Sequence, residues 1–135
     1  MAETAKKYAP IPAATEAAAT VALDAAFAAH RALGPGLLES VYEACLCHEL
    51  AKLKVPFARQ VALPVMYDGI RLDAGLRMDV LVGNCVVLEL KAVEAHNRLY
   101  EAQLITYLKL SGLRLGLLIN FNVPVLKDGI HRIVR

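Results

Sequence analysis

The spacing of apolar and polar positions changes twice along the chain. From Ala14 to Leu33 it is helical, with Val21, Phe27 and His30 set among alanines, and Gly34-Pro35-Gly36 ends the run. From Leu37 to Leu53, Leu38, Val41, Cys45, Leu46, Leu50 and Leu53 recur at spacings of three and four, which predicts a second helix with one apolar face. After Pro56 the period drops to two. Residues 59–67 alternate and are rich in valine, Asp68-Gly69 signals a hairpin, and a second strand is expected over 70–82. Gly83-Asn84 marks a further turn. The third strand, 85–92, carries Val86, Val87, Leu88 and Leu90, so it is apolar on both faces and reads as central. A third helix follows over 98–111, ended by Gly112, then a strand over 115–121 and a short final strand over 130–134. Residues 1–13 show no period and read as a mobile N-terminal tail. The order α-α-β-β-β-α-β predicts an α/β or α+β fold, a sheet flanked by helices, as a single domain over 14–135.

Composition adds one question. Hydrophobic residues make up 57% of the 135 and charged residues 21%, against the roughly 25% charged that is usual. Disorder of the bulk is thereby excluded. A membrane span is not expected, because no run approaches the roughly 18–20 apolar residues it needs. The richest stretch, 13–29, is broken by Thr15, Glu16 and Asp24. The apolar surplus suggests a subunit interface. The alanine-rich first helix and its neighbour are its expected place, in a homo-oligomer whose simplest form is a dimer. Three cysteines and no secretory pattern point to free thiols in a reducing, cytoplasmic setting. Cys45 and Cys47 are about 200° apart on a helix and do not chelate one metal together. The net charge of +2 is unevenly spread: residues 1–90 carry eight Lys/Arg and ten Asp/Glu, residues 91–135 seven and three. A phosphate-facing surface in the last third is one reading of that, and ordinary solvated charge is the other.

The chemistry concentrates on the third strand. Glu89 and Lys91 share a face with Val87, and two charges on a central apolar strand are costly unless paired or functional. Asp79 lies on the preceding strand. A two-residue turn at 83–84 sets Asp79 opposite Leu88, whereas a three-residue connection, Gly83-Asn84-Cys85, sets it opposite Glu89. The second register is expected, because only then do the carboxylates converge. Two carboxylates in contact share a proton or hold a cation. Hard oxygen ligands suit Mg²⁺ or Mn²⁺, and a nearby lysine can stabilise developing negative charge.

Asp79 followed by Glu89-x-Lys91 behind a hairpin resembles the signature of the PD-(D/E)xK nuclease superfamily. Met78 stands where that signature has its proline. Gly36, Glu39 and Tyr42 form G-x-x-E-x-x-Y, which resembles the GxxExxY proteins, a small group within that superfamily. Gln103 and Tyr107 resemble the Q-x-x-x-Y of RecB-type nucleases. The resemblance spans 21–135. It implies an α/β fold of restriction-endonuclease-like architecture, a mixed central sheet flanked by helices, and metal-dependent hydrolysis of nucleic-acid phosphodiester bonds, with DNA the expected substrate. It implies Asp79 and Glu89 as metal ligands, the Leu90 carbonyl and Glu39 as further ligands, and Lys91 as the catalytic lysine. Gln103 and Tyr107 would support the site or contact the substrate strand.

Other chemistries find less support. Glu39 and Tyr42, like Gln103 and Tyr107, share helix faces that ordinary packing also explains. The chain has no P-loop, no G-x-G-x-x-G and no serine triad pattern. His30 and His48 read as packing or surface residues, and His96 and His131 lack a matching ligand set. The small size, the few aromatic residues and the low charge leave room for a rival reading. In that reading the protein keeps the fold but acts as a nucleic-acid-binding or homo-oligomeric assembly protein with little activity.

Overall fold

A computed structural model describes residues 8–135. Two helices open the fold, α1 (Ala13–Leu33) and α2 (Glu39–Lys52). Strands β1 (Phe57–Ala62), β2 (Val65–Tyr67), β3 (Ile70–Leu72), β4 (Arg77–Val82) and β5 (Val86–Lys91) follow. Helix α3 (Arg98–Ser111), β6 (Leu115–Asn120), a 3₁₀ turn (Leu126–Gly129) and β7 (Ile130–Val134) complete it. Strands β1, β4, β5, β6 and β7 form one five-stranded sheet in that order, while β2 and β3 pair separately. The β5–β6 pair is parallel and the other neighbours are antiparallel. A parallel pair needs a long crossover, which α3 supplies.

The expected α/β fold is what the structure shows: a mixed sheet covered on both faces. On one face Tyr42, Leu46 and Leu50 of α2 and Ala22, Ala25 and Ala26 of α1 pack on Val80, Leu88, Leu117 and Phe121. On the other, Leu104, Tyr107 and Leu108 of α3 pack on Val87 and Leu118. β5 is central and buried from Val86 to Leu90, as its unbroken apolar run predicts. Gly116 lets α3 approach, since a Cβ there would lie 2.9 Å from the Leu104 side chain. Asn97 caps α3 by accepting from Leu99 N at 2.9 Å, and Gly112 ends it in the left-handed conformation.

Three expectations differ from what is found. The two long strands each break in half. Pro64 has no N–H for a ladder, and Asp73-Ala74-Gly75 lacks strand-forming side chains. As a result the Asp68-Gly69 hairpin is a separate two-stranded arm. Helix α2 begins at Glu39, and its buried face is Tyr42, Glu43, Leu46, Cys47 and Leu50. The predicted face leaned on Leu38, Val41 and Leu53, which are exposed. The alanine face of α1, expected to meet another subunit, is consumed inside the chain: Ala19, Ala22, Ala25, Ala26 and Ala29 are buried. Of the segment read as a mobile tail, residues 1–7 lie outside the described residues. Ala9 and Pro10 accept hydrogen bonds from the Arg114 guanidinium, Ile11 packs against the core, and Ala13 already belongs to α1. No helix of the described residues is long and apolar enough to cross a membrane.

Candidate functional site

The site rests on the β4–β5 turn. Val80 pairs with Leu88, Leu81 with Val87 and Val82 with Val86, across a three-residue connection at 83–85. This is the register that turns Asp79 toward Glu89. The ladder stops at Val80, and beyond it the Asp79 side chain takes over, Oδ2 accepting from Leu90 N at 2.8 Å. Asp79 therefore bridges two strands that are parting, and the cleft between them opens at that point.

Glu89 is almost fully buried, and its Oε2 has no hydrogen-bond partner. Burial, then the neighbouring Asp79 carboxylate, push its carboxyl up to about 9, with Lys91 opposing and Glu39 reinforcing the shift. Lys91 Nζ lies 4.0 Å from Glu89 Oε1, too far for a hydrogen bond, and 4.7 Å from the centre of the Tyr100 ring. Beyond Lys91, Asn120 knits the strand ends together: Oδ1 accepts from Val93 N and Nδ2 donates to Val93 O, both at 3.0 Å. Phe121 N donates to Lys91 O at 2.8 Å. These bonds fix the backbone that carries the lysine.

Glu39 enters from the N-terminus of α2. The loop before it needs Gly36, whose φ is +101°. Tyr42 pins that loop, its hydroxyl donating to Gly34 O at 2.6 Å and accepting from Leu37 N at 3.2 Å. The Tyr42 ring stacks on Phe121 at 4.6 Å. Burial raises the Glu39 carboxyl, with Lys91 lowering it and Asp79 raising it further. An open cleft of about 240 Å³ is lined by Glu39, Ser40, Glu43, Gln60, Asp79 and Leu90. Gln103 and Tyr107 arrive from α3, with Gln103 Nε2 donating to the Tyr107 hydroxyl at 2.9 Å. Burial raises the Tyr107 hydroxyl, as do Glu89 and Asp79, so Tyr107 feels the same charges. Glu39, Asp79 and Leu90 thus line the cleft, Glu89, Lys91 and Tyr107 are coupled to them by charge, and Gln103 joins through Tyr107. A larger hollow of about 400 Å³ beside Phe27, His30 and Pro124 contains none of them, and His30 Nε2 there already contacts Val123 O at 2.8 Å.

Sequence reasoning missed a second group beside the cleft. Glu43 is buried and accepts from Arg59 Nε at 3.0 Å, from Arg59 Nη2 at 2.9 Å and from Gln60 Nε2 at 2.7 Å. Gln60 adopts a left-handed φ of +51° at the point of β1 across from Asp79, between the pairs Arg59–Val80 and Val61–Met78. A non-glycine residue held there is strained. The only signal was a polar Arg-Gln pair inside an alternating strand. Of the basic residues in the last third of the chain, Arg114 is tied to backbone carbonyls and Arg132 to Glu16. Cys47 is buried, and burial pushes its thiol up to about 11, as fits a packing residue.

A mixed five-stranded sheet with helices behind both faces is an architecture of the restriction-endonuclease-like class. The chain belongs to the PD-(D/E)XK nuclease superfamily, whose family model matches residues 16–133. Neither curated proteins nor solved structures match the chain. Members of the superfamily typically depend on a divalent metal. The residues here fit such an ion: a buried carboxylate oxygen without a partner, beside a second carboxylate, is stable only with a proton or a cation.

Proposed function

We propose that the protein is a metal-dependent nuclease that hydrolyses phosphodiester bonds of nucleic acid, DNA being the expected substrate. The observation that carries this reading is the orphaned Glu89 Oε2 beside Asp79, on the same strand face as Lys91. Asp79 and Glu89 would hold a cation of the Mg²⁺/Mn²⁺ class, with the Leu90 carbonyl and Glu39 as further ligands, and the ion would supply an acidified water and a neutralised phosphate. Asp79 is oriented for this by its bond from Leu90 N. Lys91, held on a fixed backbone and leaning on Tyr100, offers an ammonium to the attacking water or to charge building on phosphorus. Tyr107 is positioned by Gln103 and adds a hydroxyl near the carboxylates. Within the superfamily we assign the chain to the GxxExxY group, on Gly36, Glu39 and Tyr42. The motif has a physical sense: the glycine shapes the loop, the tyrosine pins it, and the glutamate is delivered to the cleft.

The test is cleavage of plasmid and of single-stranded DNA with Mg²⁺ or Mn²⁺, comparing the protein with Lys91→Ala and Asp79→Asn. Metal-dependent cleavage lost in both variants supports the reading. Cleavage indifferent to both substitutions overturns it. The rival, an assembly or binding protein of low activity, draws on one observation: Met66, Tyr67, Ile70 and Leu72 on the β2–β3 arm are exposed. Light scattering reads that directly, and a homodimer is its expected outcome.

A further inference from the structure

We propose that His96, Glu101 and His131 form a binding site for a borderline divalent transition-metal ion, zinc above all, separate from the carboxylates of β4 and β5. The two histidines lacked a ligand set when read along the chain, because 34 residues, α3 and β6 among them, stand between them. The crossover brings them together. His96 ends the loop after β5, immediately before the Asn97 cap, Glu101 lies in the first turn of α3, and His131 sits on β7 opposite Leu118. One donor atom from each lies within 4.8 Å of the other two. His96 Nε2 is 2.7 Å from Glu101 Oε2, and the His96 and His131 rings stack at 4.1 Å.

The chemistry of the donors selects the ion. Two imidazoles and one carboxylate are a zinc donor set that leaves a fourth position for water. Mg²⁺ and Ca²⁺ prefer all-oxygen surroundings. Tetrahedral donors about 2.1 Å from an ion stand about 3.4 Å apart, so the widest pair must close by little more than an ångström, the His96–Glu101 pair at 2.7 Å must open, and the stacked rings must turn until both nitrogens face the ion. His96 is exposed and outside the sheet, so the adjustment falls to its side, while His131 is held by the sheet. The hydrogen bond between His96 and Glu101 would give way to the ion, with any proton on the pair released.

The site is distinct from the first one. Glu89 pairs with Leu118 and Leu118 with His131, so the three lie in one row on one face of the sheet. That puts His131 two strand spacings, about 10 Å, from Glu89. Tyr100 stands between, its ring 4.7 Å from Lys91 Nζ and 6.5 Å from the His96 ring. The inference does not depend on nuclease activity.

Metal-stripped protein titrated with zinc chloride against a chromophoric chelator provides the test. The expected result is a Kd tighter than about 10 µM, weakened on the order of a hundredfold by His96→Ala and by His131→Ala, and unchanged by Asp79→Asn. Cobalt in place of zinc should give visible bands without sulfur-to-metal charge transfer, which separates this site from the three free thiols. His96→Ala changes an exposed side chain, and circular dichroism confirms that both histidine variants fold. Zinc affinity unchanged in folded His96→Ala, loss of affinity in Asp79→Asn, or a wild-type Kd weaker than about 10 µM overturns the proposal.

Discussion

Two glutamates are buried in neighbouring parts of this fold, and they are treated in opposite ways. Glu43 receives three hydrogen bonds, two from Arg59 and one from Gln60, so its charge is met by side chains of its own chain. Glu89 has one oxygen with no partner, an ammonium only at 4.0 Å, and an acidic neighbour. Both carboxylates give up water. The protein compensates the first and leaves the second short of positive charge. A buried acid that is complete is a fastening, whereas one that is incomplete is where a proton or an ion belongs.

The contrast breaks first on activity. Asp79→Asn or Glu89→Gln should lower metal-dependent DNA cleavage by about a thousandfold at unchanged fold, measured by plasmid nicking. Glu43→Ala should act through stability. It strands Arg59 and Gln60 and should cost about 2 kcal/mol in urea unfolding, a discounted figure because Arg59 is partly exposed. The same pair separates by pH. Folding raises Glu89 from 4.5 to about 9. Its contribution is therefore full below about pH 4.5 and is lost as pH climbs through about 9. Metal-free protein should lose several degrees of melting temperature between about pH 5 and pH 9, and Glu89→Gln should flatten that slope. A slope unchanged in the variant would place the titration elsewhere. The smallest effect is at Gln60. Its alanine and glycine variants both lose the bond to Glu43, but glycine relieves the left-handed φ, so Gln60→Gly should be the more stable by about 1 kcal/mol.

How much of this the sequence disclosed follows from how local each feature is. The Gly83-Asn84 turn narrowed the Asp79–Glu89 register to two alternatives, and the requirement that the carboxylates converge chose the one that is found. The central place of β5 could be read from its unbroken apolar run. The face of α2 was read in part: Leu46 and Leu50 are buried as expected, whereas Leu38, Val41 and Leu53 keep helical spacing yet are exposed, and the true face includes the tyrosine and the glutamate that make specific bonds. The Glu43 network and the His96–Glu101–His131 cluster could not be seen in advance. Each joins residues of different elements, and no periodicity within one element reports on that.

The parallel pairing of β5 with β6 also sets an order of events during synthesis. Glu89 and Lys91 are made before α3 and β6, the elements that close over their face and edge. A nascent chain that ends before α3 lacks both covers, and β5 is then an edge strand of the unfinished sheet. Non-local strand pairing forms late in folding. The burial that raises the Glu89 carboxyl is therefore complete only when the last third of the chain folds into place.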